Sequence, residues 1–88
     1  MKSYYWSQKL EATTTQQIFK LPRLRSVYLY NFGNDNIIIN FENDVNDESI
    51  VLPVNGNIPL YASMLDIRFK TMNNSSTLYL YGLRHEKL

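Results

Sequence analysis

Three features of this sequence have residue types and spacings that could do chemistry, and each is weak. His85 is the single imidazole of the chain. Imidazole catalysis needs a nucleophile and an orienting acid held around it by packed structure. His85 instead sits among Arg84, Glu86 and Lys87 in what the sequence predicts to be a short polar tail over residues 83–88, so it is read as a surface histidine. The segment holding Glu42, Asn43, Asp44, Asn46, Asp47 and Glu48 offers oxygens of the kind Ca²⁺ takes in sets of six to eight. It lacks the glycine and the bidentate glutamate of an EF-hand loop, and a solvated turn is expected. Asn73-Asn74-Ser75 and Asn74-Ser75-Ser76 match the glycosylation triplet but read better as a β-turn. Cysteine is absent and there are only three glycines, which removes thiolate metal sites, disulfides and a glycine-rich phosphate loop. No catalytic, cofactor-binding or metal-ligating residue is assigned, and an enzyme is not expected.

The tyrosines say more. In residues 25–32, Val27 and Leu29 alternate with Tyr28, Tyr30 and Phe32. In residues 77–82, Leu78 and Leu80 alternate with Tyr79 and Tyr81. If the aliphatic faces line a core, two strands present aromatic rows outward. Interfaces are enriched in tyrosine, and an exposed aromatic row favours cover by a partner. The competing reading buries both faces and lets only the hydroxyls reach water. A second aromatic cluster, Tyr4, Tyr5 and Trp6, precedes the first clear strand. It either folds back onto the core of its own domain or docks on a neighbour. The candidate interface residues are therefore Tyr4, Tyr5, Trp6, Tyr28, Tyr30, Tyr79 and Tyr81.

The elements that would position these residues are strands. Ten Asn, seven Tyr and only two Ala favour strands and turns over helices. Residues 1–16 read as an extended N-terminal arm, and residues 17–88 as one domain. Within that domain, Ile18–Leu21 stops at Pro22, residues 25–32 form a strand, and Gly33–Asn36 reads as a hairpin turn. Ile37, Ile39 and Phe41 point inward along the next strand. Ser49–Val54 carries Pro53, a mark of an edge or bulge. Asn55-Gly56 is the strongest hairpin signal. A short Ile58–Leu60 segment and one helical turn at 61–64 follow, then a strand over 65–70, a turn at 73–76 and a last strand over 77–82. The expected core is Val27, Leu29, Ile37, Ile39, Phe41, Ile50, Leu52, Leu65, Ile67, Phe69, Leu78 and Leu80. The fold class is all-β: a small antiparallel β-sandwich or jelly-roll-like barrel of about seven strands with an extended N-terminal arm.

Charge narrows the partners. Nine Lys and Arg balance eight Asp and Glu, a net charge of +1, which leaves no strongly basic face for nucleic acid. No apolar stretch follows Lys2 as a leader would require, and none is long enough for a membrane helix. The chain is expected to be soluble, with no nucleic-acid or membrane partner.

Residues 16–82 resemble the small all-β structural proteins of tailed bacteriophage virions, the decoration, auxiliary capsid and head–tail proteins. The resemblance runs from the Thr/Gln lead into Ile18, through Tyr30-Asn31-Phe32-Gly33-Asn34-Asp35, Ile50-Val51-Leu52-Pro53 and Leu65-Asp66-Ile67-Arg68. It ends on Asn74-Ser75-Ser76-Thr77-Leu78-Tyr79-Leu80-Tyr81-Gly82, similar to the closing hairpin of such domains. It implies a place in the virion, assembly in host cytoplasm, many copies or a homo-oligomer, other virion proteins as partners, and no catalytic residues or cofactor. A small carbohydrate-binding sandwich using the same tyrosines is the other reading.

Overall fold

The computed structural model describes residues 2–24, 26–60 and 66–86. They form eight strands: β1 (Lys2–Ala12), β2 (Gln17–Lys20), β3 (Ser26–Asn31), β4 (Ile37–Asn40), β5 (Ile50–Leu52), β6 (Asn57–Leu60), β7 (Asp66–Thr71) and β8 (Ser76–Glu86). No helix occurs among the described residues. The strands make two four-stranded antiparallel sheets, ordered β1-β8-β3-β6 and β2-β7-β4-β5. Pairing is nested. The first strand pairs with the last, the second with the seventh, the third with the sixth and the fourth with the fifth, so the chain is a long folded ribbon wrapped into two layers.

The extended arm expected over residues 1–16 is corrected here. Residues 2–12 form β1, an edge strand in register with β8 from Lys2↔Glu86 to Ala12↔Ser76. This is why there are eight strands and not about seven. The physical reason is period-2 alternation that the polar residues obscure: Trp6, Leu10 and Ala12 share one face, and all three contribute to the core or pack against it. The expected polar tail over 83–88 is corrected by the same pairing, because β8 continues through Glu86. Past the Ser26↔Leu83 pair, β8 no longer has β3 beside it. Residues 84–86 and 2–4 run on as a two-stranded ribbon.

The two sheets bury Ala12, Leu21, Leu24, Val27, Leu29, Ile37, Ile39, Leu52, Ile67, Phe69, Leu78 and Leu80 between them. Nine of these were expected from alternation. Phe41 is half-buried at the margin. Ile50 is 45% exposed and not part of the core. It lies opposite the buried Ile39, but its strand is the outer strand of its sheet and pairs on one side only. Leu65 and the helical turn expected at 61–64 lie outside the described residues.

The turns expected as hairpins are crossings between layers. Gly33–Asn36 carries the chain from β3 in one sheet to β4 in the other, and Pro53–Gly56 from β5 to β6. A two-residue type I′ hairpin needs positive φ at both turn residues. Only Asn55, at φ 65°, has it, and no described glycine does. Gly56 N–H donates to the Pro53 carbonyl at 2.8 Å, closing a turn with positive φ at its third residue, as in type II. Gly82 is required for a different reason: a Cβ there would collide with the Ser26 carbonyl where β3 and β8 approach.

One buried polar residue ties these crossings together. Asn31 is fully buried at the end of β3. Its Nδ2 donates to the Asp35 carbonyl at 2.8 Å and the Leu52 carbonyl at 3.0 Å, and its Oδ1 accepts from Ser76 Oγ at 2.7 Å. Its backbone N–H donates to the Gly56 carbonyl at 3.0 Å, and its carbonyl accepts from Asn55 N–H at 2.9 Å. The side chain thus satisfies groups from the β3–β4 crossing, from β5 and from β8, and the backbone of the same residue holds the β5–β6 crossing. A buried amide is stable only when so paired.

Asp35 fastens the same end of the molecule. Its Oδ2 accepts from the Asn73 and Asn74 amides at 2.8 and 2.9 Å, and its Oδ1 from the Asn36 amide at 2.9 Å. The Asn74 amide, then the Asn73 amide, holds the carboxyl below its ordinary value; burial pulls the other way, and the Asn36 and Met72 amides add smaller lowering contributions. A depressed native value stabilises the fold fully above the unfolded carboxylate range, about pH 4, and is lost as pH falls through the native value. The Asp35→Asn variant should therefore unfold at lower urea than the native chain at neutral pH, with the gap closing in acid. A gap unchanged into acid would show that the charge on Asp35 does not hold the two loops together.

Candidate functional site

Because side chains alternate along strands, the sheet β1-β8-β3-β6 turns one set of residues into the core and the other into solvent. Its outward set is aromatic. Tyr28 and Tyr30 come from β3, Tyr79 and Tyr81 from β8, Tyr5 from β1, and Phe32 from just past β3. The registers Tyr28↔Tyr81 and Tyr30↔Tyr79 place them side by side. Tyr28 stacks on Tyr81 with centroids 5.3 Å apart at 18°, Tyr79 on Tyr81 at 5.5 Å and 29°, and Tyr30 is tilted against Phe32 at 6.0 Å. Of the two readings of the tyrosine rows, the outward one describes their placement: Tyr28 is 41% and Phe32 60% exposed.

Polar neighbours fix the rings. The Tyr30 hydroxyl donates to Asn55 Oδ1 at 3.2 Å, and Asn57 Nδ2 donates to the Tyr81 hydroxyl. The Lys9 ammonium lies 6.0 Å from the Phe32 centroid and 5.9 Å from that of Tyr79, within cation–π range. Two shallow grooves flank the Tyr79–Tyr81 ridge. The larger, about 560 Å³, is lined by Tyr5, Trp6, Tyr28, Tyr81 and Leu83 among others. The smaller, about 400 Å³, lies between Lys9, Tyr30, Phe32 and Asn57.

The N-terminal aromatic cluster is divided by the same alternation. Tyr5, 89% exposed, joins the outer face. Trp6 points the other way and packs half-buried against the core of its own domain. Tyr4 shares the Trp6 side of the strand and is 39% exposed. Sequence reasoning did not include Lys9, Phe32 and Asn57 in the site. Phe32 continues the 28, 30 series and was legible; Lys9 and Asn57 required knowing that β1 and β6 belong to this sheet.

The acidic segment is a loop between β4 and β5 built by asparagine side chains. Asn40 Oδ1 accepts from the Glu42 and Asn43 amides at 2.9 and 2.8 Å, and Asn46 Oδ1 from the Glu48 amide at 2.8 Å. Ser49 Oγ accepts from the Asn46 amide at 2.9 Å. Asp44 meets Arg68 at 3.7 Å while 85% exposed, so the pair contributes little. The carboxylates of Glu42, Asp44, Asp47 and Glu48 belong to exposed residues, and among the described residues no group of three or more acidic, His or Cys side chains is gathered for a metal ion. The backbone of His85 is paired opposite Ser3 in the terminal ribbon.

Compared with known proteins, the chain matches no family model, no curated protein and no solved structure.

Proposed function

We propose that this chain is a non-enzymatic structural component of a bacteriophage virion, a capsid decoration or auxiliary protein or a minor head–tail or fibre component, acting by multivalent docking. The nested strand order is read as a jelly roll of eight strands, an architecture used by viral capsid domains and by lectins. The observation that carries a protein partner over a sugar is the stacking of the tyrosines. Tyr28 and Tyr79 each stack on Tyr81, so the stacked faces are closed to a ligand and the surface offers mainly ring edges and hydroxyls, the amphipathic contacts common at protein interfaces. A sugar platform needs open ring faces. Modest contacts of this kind, repeated over a symmetric particle, give avidity without a large area per copy.

The carbohydrate-binding alternative keeps one observation in its favour: Tyr5 stands 89% exposed beside the larger groove. The two readings separate on the Tyr28→Ala/Tyr81→Ala double variant. On the virion reading it folds and is lost from purified phage particles that retain the native chain, while neither protein binds a glycan array. Undiminished incorporation, or glycan binding abolished by Tyr5→Ala, would sink it.

A further inference from the structure

Two sheets of four strands leave four open edges, and three are blunted. β2 has four residues and runs into Leu21-Pro22; β5 has three and ends at Pro53; β6 has four and contains Pro59. Short strands and edge prolines are the usual means of preventing edge-to-edge pairing. β1 differs: it is 11 residues long and holds no proline. Its charged Lys9, which could guard the edge, lies over the Phe32 and Tyr79 rings.

Hydrogen-bond direction shows which groups of β1 are open. Phe32 N–H donates to the Thr77 carbonyl at 2.8 Å, so Thr77 and alternate residues after it turn their backbone groups toward β3. Leu78, Leu80, Gly82 and Arg84 then face β1 and bond its even-numbered partners Leu10, Gln8, Trp6 and Tyr4. Ser3, Tyr5, Ser7, Lys9 and Glu11 are left facing outward. Each carries one N–H and one C=O. Among the described residues β1 pairs with no strand but β8, and the Lys9 carbonyl meets only the exposed Gln8 side-chain amide at 3.3 Å.

We propose that the β1 edge pairs with β1 of a second copy of this chain, antiparallel about a two-fold axis at Ser7, making one continuous eight-stranded sheet. The sequence of β1 is self-complementary in that register. Ser7 faces Ser7, Tyr5 faces Lys9 and Ser3 faces Glu11, so all five outward residues form hydrogen-bonded pairs. Trp6 faces Gln8 and Tyr4 faces Leu10 on the inner side. No like charges oppose, and the exposed Tyr5 gains a lysine from the other copy as a cation–π partner. The two aromatic faces become contiguous on one side of the joined sheet. This inference does not rest on the virion role; it needs only the edge.

Since the chain has no cysteine, single-cysteine variants report the register without background. The native chain should sediment at twice its 10.4 kDa mass over a wide concentration series. Oxidised Ser7→Cys should become a disulfide-linked dimer, since facing residues lie within disulfide reach, whereas Glu11→Cys should not. Ser7→Pro removes an outward N–H that no partner among the described residues uses, so it should sediment as a monomer with an unchanged far-UV spectrum. A native chain that sediments as a monomer overturns the proposal. So does a dimer that Ser7→Cys fails to link, which also covers the case in which the proline variant does not fold.

Discussion

Asn31→Ala is expected to lower the unfolding free energy by on the order of 3 kcal/mol or more. The substitution removes two donors and one acceptor at a fully buried position. It leaves the Asp35 and Leu52 carbonyls and the Ser76 hydroxyl without that partner, and each unsatisfied buried group costs about 1–3 kcal/mol. The cost should be large because one side chain joins the β3–β4 crossing to β5 and β8; the backbone bonds of residue 31 to Asn55 and Gly56 remain in the variant. Asn31→Leu, similar in volume, should not rescue it, since the groups left behind are polar. Urea unfolding reads this directly. A loss below about 1 kcal/mol, the net worth of one ordinary hydrogen bond, would mean that the crossings hold themselves and Asn31 is incidental.

Phe69→Ala should cost about 3–5 kcal/mol, the range for emptying a fully buried aromatic site. Phe69 is 1% exposed, on a central strand, in register with Ile39 on one side and Gln17 on the other. In a small two-layer domain without disulfide bridges, that is a large share of a typical stability of about 5–15 kcal/mol. The chain with Ile18→Ala is the internal control. Ile18 lies on the neighbouring strand β2 but is 59% exposed, so its loss should be within about 0.5 kcal/mol. Equal urea midpoints for the Phe69 and Ile18 variants would show that the strand faces have been assigned wrongly.

The contrast between these residues shows what could be read from the sequence. Ile67 and Phe69 alternate with Asp66, Arg68 and Lys70, and period 2 fixes their inward direction without further knowledge. The same rule separates Tyr28, Tyr30, Tyr79 and Tyr81 from the aliphatic faces of their strands but leaves open whether the aromatic faces are outward or also buried. Pairing was not legible. Lys2 meets Glu86 across the whole chain, and no local pattern encodes a partner that distant. Turn residues misled for a related reason: Asn55-Gly56 marks where the chain bends but not whether it returns to the same sheet. Asn31 is invisible as a hub because, although alternation sets it on the Val27 and Leu29 side of its strand, nothing in the local sequence names the Asp35, Leu52 and Ser76 groups it bonds. Residues 2–12 read as an arm from the sequence because one face carries only Trp6, Leu10 and Ala12 as fully apolar residues, interrupted by Gln8.

The central claim is that the aromatic face of the sheet β1-β8-β3-β6 is covered by protein in the assembled particle. Oxidative footprinting of tyrosine tests it in one measurement, on the free chain and on intact particles. Tyr5 and Tyr28, exposed in the isolated chain, should be labelled readily when free and protected together with Tyr81 in the particle, while Met72, exposed just past the end of β7, stays reactive in both. Equal labelling of Tyr5, Tyr28 and Tyr81 in the two states would contradict the claim.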